Sequence, residues 1–192
     1  MGVTDDLTSF PDLATERLVL RGLYFDDTEF IFAHFSDPAV VQYLMDEPPL
    51  TDRTQAADLI RFYLEPEGKD HNRWGLVRRD SGQLVGTCGY HRWDRRNRRA
   101  EIGYDLTPGC RGQGFMAEAV QAALRHGFAR MGLNKVDAVV YVGNEPSRRL
   151  LQRLGFRQEG LLRDHYLVEG RFFDHALHSL LGREWRPCAE RG

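Results

Sequence analysis

The sequence predicts one α+β domain over residues 1–192, organised on a central mixed β-sheet. Three observations carry this prediction. Strand-like patterns follow one another from Trp74 to Leu106, with the hairpin signal Asp80-Ser81-Gly82 among them. A glycine-rich turn, Leu106 to Ala119 (LTPGCRGQGFMAEA), then leads into the strongest helical pattern of the chain, Phe115 to Arg130. Beyond it, Val136 to Val142 is a near-continuous β-branched run, as expected of a strand buried on both faces.

In chain order, Thr15 to Leu23 alternates Leu18 and Leu20 against Val19 and Arg21 and reads as a first strand. Asp26 and Asp27 can cap a short helix carrying Phe30, Ile31 and Phe35. Asp37-Pro38 starts a second helical piece, and Pro48-Pro49 breaks the chain. Thr51 or Asp52 caps a helix with Ala56, Leu59, Ile60 and Tyr63 on one side; Glu65 to Asn72 is a loop. Strands follow at Trp74–Arg78, Leu84–Trp93 and Arg99–Leu106. Asn144-Glu145-Pro146 opens a helix from Ser147 to Leu154, stopped by Gly155. Phe156 to Val168 and Arg171 to Leu181, joined at Glu169-Gly170, form a closing hairpin.

Composition narrows the function classes. A net charge of −2 argues against general nucleic-acid or membrane binding. The amino terminus lacks a basic start followed by an apolar run, and no apolar run has the length of a membrane span. Three widely spaced cysteines (Cys88, Cys110, Cys188) point to reduced thiols in a cytoplasmic protein. Asp6 stands where a myristoylation signal needs Ser or Thr. Cys88-x-x-His91 and His175-x-x-His178 lack the partners of a metal site, so no metal is expected. The basic run His91 to Arg99 reads as a solvated hairpin loop, with binding of RNA or an acidic substrate as the alternative.

The glycine turn is the candidate site. A turn at a helix start gathers N–H groups that have no partner in the helix and that favour phosphates. Gly109, Gly112 and Gly114 surround Arg111 and Gln113 there. A turn of this kind also serves simply to pack a helix on a strand. The absence of G-K-[S/T] argues against a P-loop, and the late position in the chain argues against a dinucleotide fold. The segment Asn144 to Phe156 (NEPSRRLLQRLGF) is, by itself, adequately explained as a capped amphipathic helix with Asn144 and Ser147 as cap residues.

Taken together, R-G-Q-G-F-M-A-E-A after I-G-Y-D-L, and N-x-x-S-x-x-L-x-x-L-G-F thirty-odd residues on, resemble the GNAT superfamily of acetyl-CoA-dependent N-acetyltransferases. T-E-R-L-V-L-R (Thr15–Arg21), G-Q-L-V-G (Gly82–Gly86), E-G-L-L-R-D-H-Y (Glu159–Tyr166) and G-R-F-F-D-H-A-L (Gly170–Leu177) resemble one branch. That branch includes the enzymes that acetylate the amino-terminal alanine or serine of ribosomal proteins. The resemblance implies a seven-stranded twisted mixed sheet, splayed between strands 4 and 5 near Leu106 and Val142, with about four helices. It implies that the amides of Arg111, Gly112, Gln113, Gly114, Phe115 and Met116 hold the CoA pyrophosphate. Met116 departs from the family's Gly or Ala. The backbone of Tyr104 and Leu106 would bind the pantetheine arm, with Asn144 and Ser147 facing that arm and the sulfur.

An amine attacks a thioester only when neutral, so a base is expected. Glu101 is the candidate, the alternative being a strand carboxylate paired with Arg99 or a neighbour. Strict alternation sets Glu101 opposite Tyr104, while a bulge of the kind the family has would reset its face. A backbone N–H near Leu106 would serve the oxyanion. Ser147 would serve the leaving thiolate, with cap serine as the alternative and Tyr141 and Tyr166 as further candidates. Phe35, Tyr43, Leu44 and the closing hairpin would wall the acceptor, and Asp174 would orient backbone nearby. The expected partner is an amine acceptor, either a protein amino terminus or a small molecule, and a homodimer is compatible with the chain. A longer acyl-CoA, a polyamine or drug-like acceptor, and a non-catalytic CoA- or RNA-binding module are the alternatives.

Overall fold

The computed structural model describes residues 10–44, 48–64 and 70–186. The amino-terminal segment, Cys188 and residues 65–69 of the expected loop lie outside them. The elements in order are β1 (Leu13–Ala14), β2 (Leu18–Gly22), α1 (Thr28–Ser36), α2 (Pro38–Val41), α3 (Arg53–Leu64), β3 (Trp74–Arg78), β4 (Leu84–Asp94), β5 (Arg99–Leu106), α4 (Phe115–Ala129), β6 (Lys135–Tyr141), α5 (Glu145–Arg153), β7 (Arg157–Val168) and β8 (Arg171–Leu181). They build one sheet in the order β1-β2-β3-β4-β5-β6-β8-β7. All pairs are antiparallel except β5–β6, which makes the sheet mixed.

Among the described residues the sheet has eight strands rather than seven. The addition is the two-residue β1, which pairs Leu13 with Leu20 and Ala14 with Val19. It is too short to show a period, and it lies just before the strand expected from Thr15 to Leu23. Among the described residues the helices number five, because Asp37, accepting from the Ala39 N–H at 2.8 Å, caps the four-residue α2 separately from α1.

The larger core lies between the sheet and α4. Tyr90 is fully buried, and its hydroxyl donates to the Ala123 carbonyl of α4 at 2.8 Å. A Cβ on Gly127 would come within 2.4 Å of that hydroxyl, so glycine is what lets this helix approach the strand. Leu23, Ile31, Ala56 and Ile60 form a smaller core under α1 and α3. Strand β6 departs from expectation: Val136, Ala138 and Val140 are buried, whereas the alternate residues are half-buried. Its second face is open because Val139 lines a cavity.

Candidate active site

Two loops frame the start of α4. Gly114 is its N-cap at φ +85°, with no side chain capping it, and Gly112 lies at φ +76°. Glycine adopts this left-handed region without a Cβ penalty. The Glu118 N–H donates to the Gly114 carbonyl at 3.1 Å and begins the helical ladder. The amides of Phe115, Met116 and Ala117 therefore have no carbonyl a turn back to receive them, and the helix dipole adds to the field there. Such a terminus fits a phosphate.

Arg111 behaves differently from its neighbours. Its N–H donates to Pro108 at 3.1 Å, so this amide is committed within the loop. Its guanidinium braces the backbone, donating to the carbonyls of Leu106 (3.1 Å) and Ala39 (2.7 Å). Met116 is 9% exposed and packs into the core, which leaves its amide at the helix start.

A clamp holds this loop to the first strands. Glu118 accepts from Thr15 (2.6 Å), from the Arg17 amide (2.7 Å) and from the Arg17 guanidinium (2.7 Å). Burial works to raise the Glu118 pKa, but Thr15 and Arg17 outweigh it and hold the carboxyl below its usual range. Arg17 also donates to the Gln113 carbonyl at 2.9 Å. Thr15 and Arg17, in the connection between β1 and β2, thus act on a loop about a hundred residues away.

The sheet parts beside this loop. Strands β5 and β6 pair only at Arg99↔Lys135, Ala100↔Val136 and Glu101↔Asp137. The Thr107 N–H donates to Val85 at 2.8 Å, which sets the parity of the β4–β5 ladder. Hydrogen-bonded pairs alternate in antiparallel strands, so Tyr104 and Leu106 turn their peptide groups away from β4, toward the gap. On β6, the Val142 N–H donating to Asp174 sets the same parity and turns Val139 and Tyr141 toward the gap. The Leu106 carbonyl is taken by Arg111, which leaves the Leu106 N–H and the Tyr104 peptide groups facing an opening suited to an extended chain.

Alternation also sorts the side chains. The register shift lies in β4, between His91 and Asp94, where Arg92 has φ +50°. From Glu101 to Leu106 the register with β4 is continuous, so no bulge resets Glu101. Tyr104 therefore shares the α4 side of the sheet with Ile102, whereas Glu101, Gly103 and Asp105 face α1. On the α4 side, the Tyr104 hydroxyl lies 2.8 Å from the Ser147 hydroxyl. Burial raises the Tyr104 pKa, with Ser147 only partly opposing it, so the phenol keeps its proton. The reading of Ser147 as a cap is corrected here. Asn144 caps α5 by accepting from the Ser147 N–H at 3.2 Å, which frees the serine hydroxyl and commits the Asn144 carbonyl oxygen.

On the other side a cavity of about 720 Å³ opens between α1, α3, the strands and the closing hairpin. Phe35, Tyr43, Leu44, Tyr166 and His175 line it, as expected, and so do Glu101, Tyr104 and Ser147. Glu101 is 21% exposed and meets Arg92 at 3.0 Å, whereas Arg99 pairs with Asp94 at 3.8 Å. Tyr141 packs against Phe173 and His175, and Asp174 accepts from the Asp164 amide at 2.8 Å.

The cavity floor rests on a buried polar network. Asp105 accepts from Arg73 (2.5 Å), Thr87 Oγ1 (2.6 Å) and the Thr87 N–H (3.0 Å), and contacts His34 Nε2 at 2.7 Å. Burial pushes its pKa up, but Arg73, His34 and Thr87 prevail and hold it below its usual value. Arg73 NH1 lies 3.2 Å from His91 Nε2. Burial first, then Arg73, pushes the His91 pKa down to about 3, so the imidazole is neutral, with Nε2 accepting and the proton on Nδ1. Sequence reasoning missed the Tyr104 phenol, Arg73, His91 and Arg92. The last two belong to β4 and the cavity, not to a solvated loop, which is confined to the exposed residues Arg95 to Arg98.

A mixed sheet that parts beside an uncapped helix start, with a walled cavity behind the gap, is the architecture of an acyl-CoA-dependent transferase. Residues 17–157 match the family model of the acetyltransferase (GNAT) domain, and the chain belongs to that family. It is 42% identical over 175 residues to the "Uncharacterized N-acetyltransferase p20" of Bacillus licheniformis, covering 90% of this chain and 97% of that one. It is 31% identical over 115 residues to the "[Ribosomal protein uS5]-alanine N-acetyltransferase" of Escherichia coli, covering 59% of each. Its fold matches spermidine N-acetyltransferase from Vibrio cholerae, in complex with CoA and spermine, at a TM-score of 0.79. That match has 23% identity and covers 88% and 98% of the two chains. The chain is accordingly an acetyl-CoA-dependent N-acetyltransferase.

Proposed function

We propose that the enzyme transfers the acetyl group directly to a primary amine that enters through the α1–α3 cavity. The observation that carries this reading is positional. Glu101 and the Tyr104–Ser147 hydroxyl pair emerge on opposite sides of one parted strand, and both line the same cavity. Glu101 takes the proton that the amine must lose, which makes nitrogen nucleophilic. The Leu106 N–H faces the developing oxyanion. As the C–S bond breaks and its electron pair passes to sulfur, the thiolate takes a hydrogen bond from Ser147, whose oxygen can accept from Tyr104, and is protonated by the proton that the attacking nitrogen sheds on becoming the amide. The amides of Gly112 to Met116 hold the pyrophosphate. Arg111 contributes by bracing them, Gln113 by the carbonyl that anchors Arg17, and Asn144 by presenting Ser147.

The acceptor favoured here is a polypeptide amino terminus, on the printed activity of the uS5-alanine relative. A cytoplasmic setting accords with the free thiols of Cys88 and Cys110. Glu101→Gln tests the assignment. Turnover should fall about 10²-fold or more and lose its rising acid limb, while acetyl-CoA affinity stays constant. An unchanged pH profile would remove Glu101 from the mechanism.

A further inference from the structure

We infer that the acceptor carries a single amine on an apolar body, and that the cavity selects against polycationic amines. This rests on the transfer reading above and names the substrate class of that site. The cavity walls between α1 and α3 are Leu23, Phe35, Leu59 and Tyr63, with Phe62 at the mouth. A hydrocarbon or aromatic side chain gains from burial against such walls, whereas an ammonium loses its hydration there.

The charges around the walls point the same way. Asp58 and Glu101, both lining the cavity, are already engaged by Arg61 and by Arg92. Asp105, under the floor, is engaged by Arg73. The floor thus presents an ion pair, Arg73 with Asp105, whose side chains are 10% and 3% exposed. Beside it lies the neutral imidazole of His91. An amine with one nitrogen places that nitrogen at Glu101 and its body against the walls. Among the described residues, a second or third ammonium on the same molecule would have to lie on the apolar walls or compete with Arg61 and Arg92 for carboxylates that they already hold. An ammonium stripped of water there meets only carboxylates that arginines already hold, so such acceptors bind weakly.

The test uses the full chain with acetyl-CoA and two probes, 2-phenylethylamine and spermidine. Thiol release gives kcat/KM for each, and calorimetry in the presence of CoA gives amine binding. Phenylethylamine should be preferred by at least about tenfold in both measurements, the scale on which apolar pockets discriminate. Phe62→Glu places a carboxylate at an exposed mouth position. It should shift the kcat/KM ratio toward spermidine by about tenfold while acetyl-CoA binding stays constant. Spermidine bound or turned over as well as phenylethylamine would overturn the inference. Selective binding of phenylethylamine without turnover of either amine would sustain the pocket assignment and overturn the transfer reading. Binding of neither would overturn the inference.

Discussion

Replacing Asp105 by Asn removes the charge at the centre of the buried network and keeps its shape. The Asp105 side chain is 3% exposed and that of Arg73 10%, so the pair is shielded from solvent. Breaking a buried pair by removing one partner costs about 3–5 kcal/mol, because the remaining charge is left uncompensated. Asparagine can still accept one of the Thr87 bonds, which places the expected loss near the lower end, about 3 kcal/mol. With a urea m-value of about 2 kcal/mol/M for a small domain, the unfolding midpoint should fall by about 1.5 M. Function should respond on one side only. His34 ties α1 to Asp105 at 2.7 Å, so the acceptor wall loosens and the amine KM rises. The α4 loop is held independently by Glu118, so acetyl-CoA affinity should be retained. A loss below about 1 kcal/mol, or equal weakening of both substrates, would refute this account of the network.

Three further outcomes are expected. Ser147→Ala and Tyr104→Phe should each lower kcat by about tenfold, and the double variant should cost less than their product, because the two hydroxyls act as a pair 2.8 Å apart; full additivity would separate their roles. Acid should destabilise the protein from about pH 6.5 downward, since burial depresses the pKa values of His91, His126 and His178. The unfolded chain then binds protons first, at up to about 1.4 kcal/mol per pH unit per histidine, and Asp105 adds its loss as pH falls further; a calorimetric Tm that is flat between pH 6.5 and 4.5 would contradict this. Hydrogen exchange at the Tyr104 and Leu106 amides should slow selectively when CoA is added, and unchanged exchange there would exclude them as contacts for the bound arm.

Much of this fold is legible because its signals are local. The hairpin turn, the Gly112–Gly114 turn and the Asn144 cap each act within a few residues, and each stands where its sequence places it. The misreadings arise where distant partners decide. Strand β6 reads as doubly buried because its residues are β-branched, yet one face opens on a cavity assembled from α1, α3, the neighbouring strands and the closing hairpin. Charge density alone makes the run from His91 to Arg99 look solvated. Pairing with β5 carries His91 into the site, the register shift after it leaves Arg92 beside Glu101, and only Arg95 to Arg98 form the turn. Arg73 carries no local signal, because its role depends on meeting Asp105 thirty-two positions later.

The parted sheet explains why these pieces are arranged as they are. A parallel pair that stops after Glu101 and Asp137 leaves peptide groups of Tyr104, Leu106, Val139 and Tyr141 turned into a gap. Buried peptide groups without partners are costly, so a sheet does not open freely. Here the opening is held by structure on each side of it. Arg111 takes the Leu106 carbonyl, and the Asn144 N–H takes the Tyr141 carbonyl at 2.9 Å. Each of these anchors sits next to an element of the proposed site, the α4 loop in one case and the α5 cap in the other. The same bonds that offset the cost of parting therefore also position the amides and the Ser147 hydroxyl. This accounts for Arg111 acting as a brace, with its own amide bonded to Pro108, while Gly112 and Gly114 after it take the left-handed φ values that shape the turn.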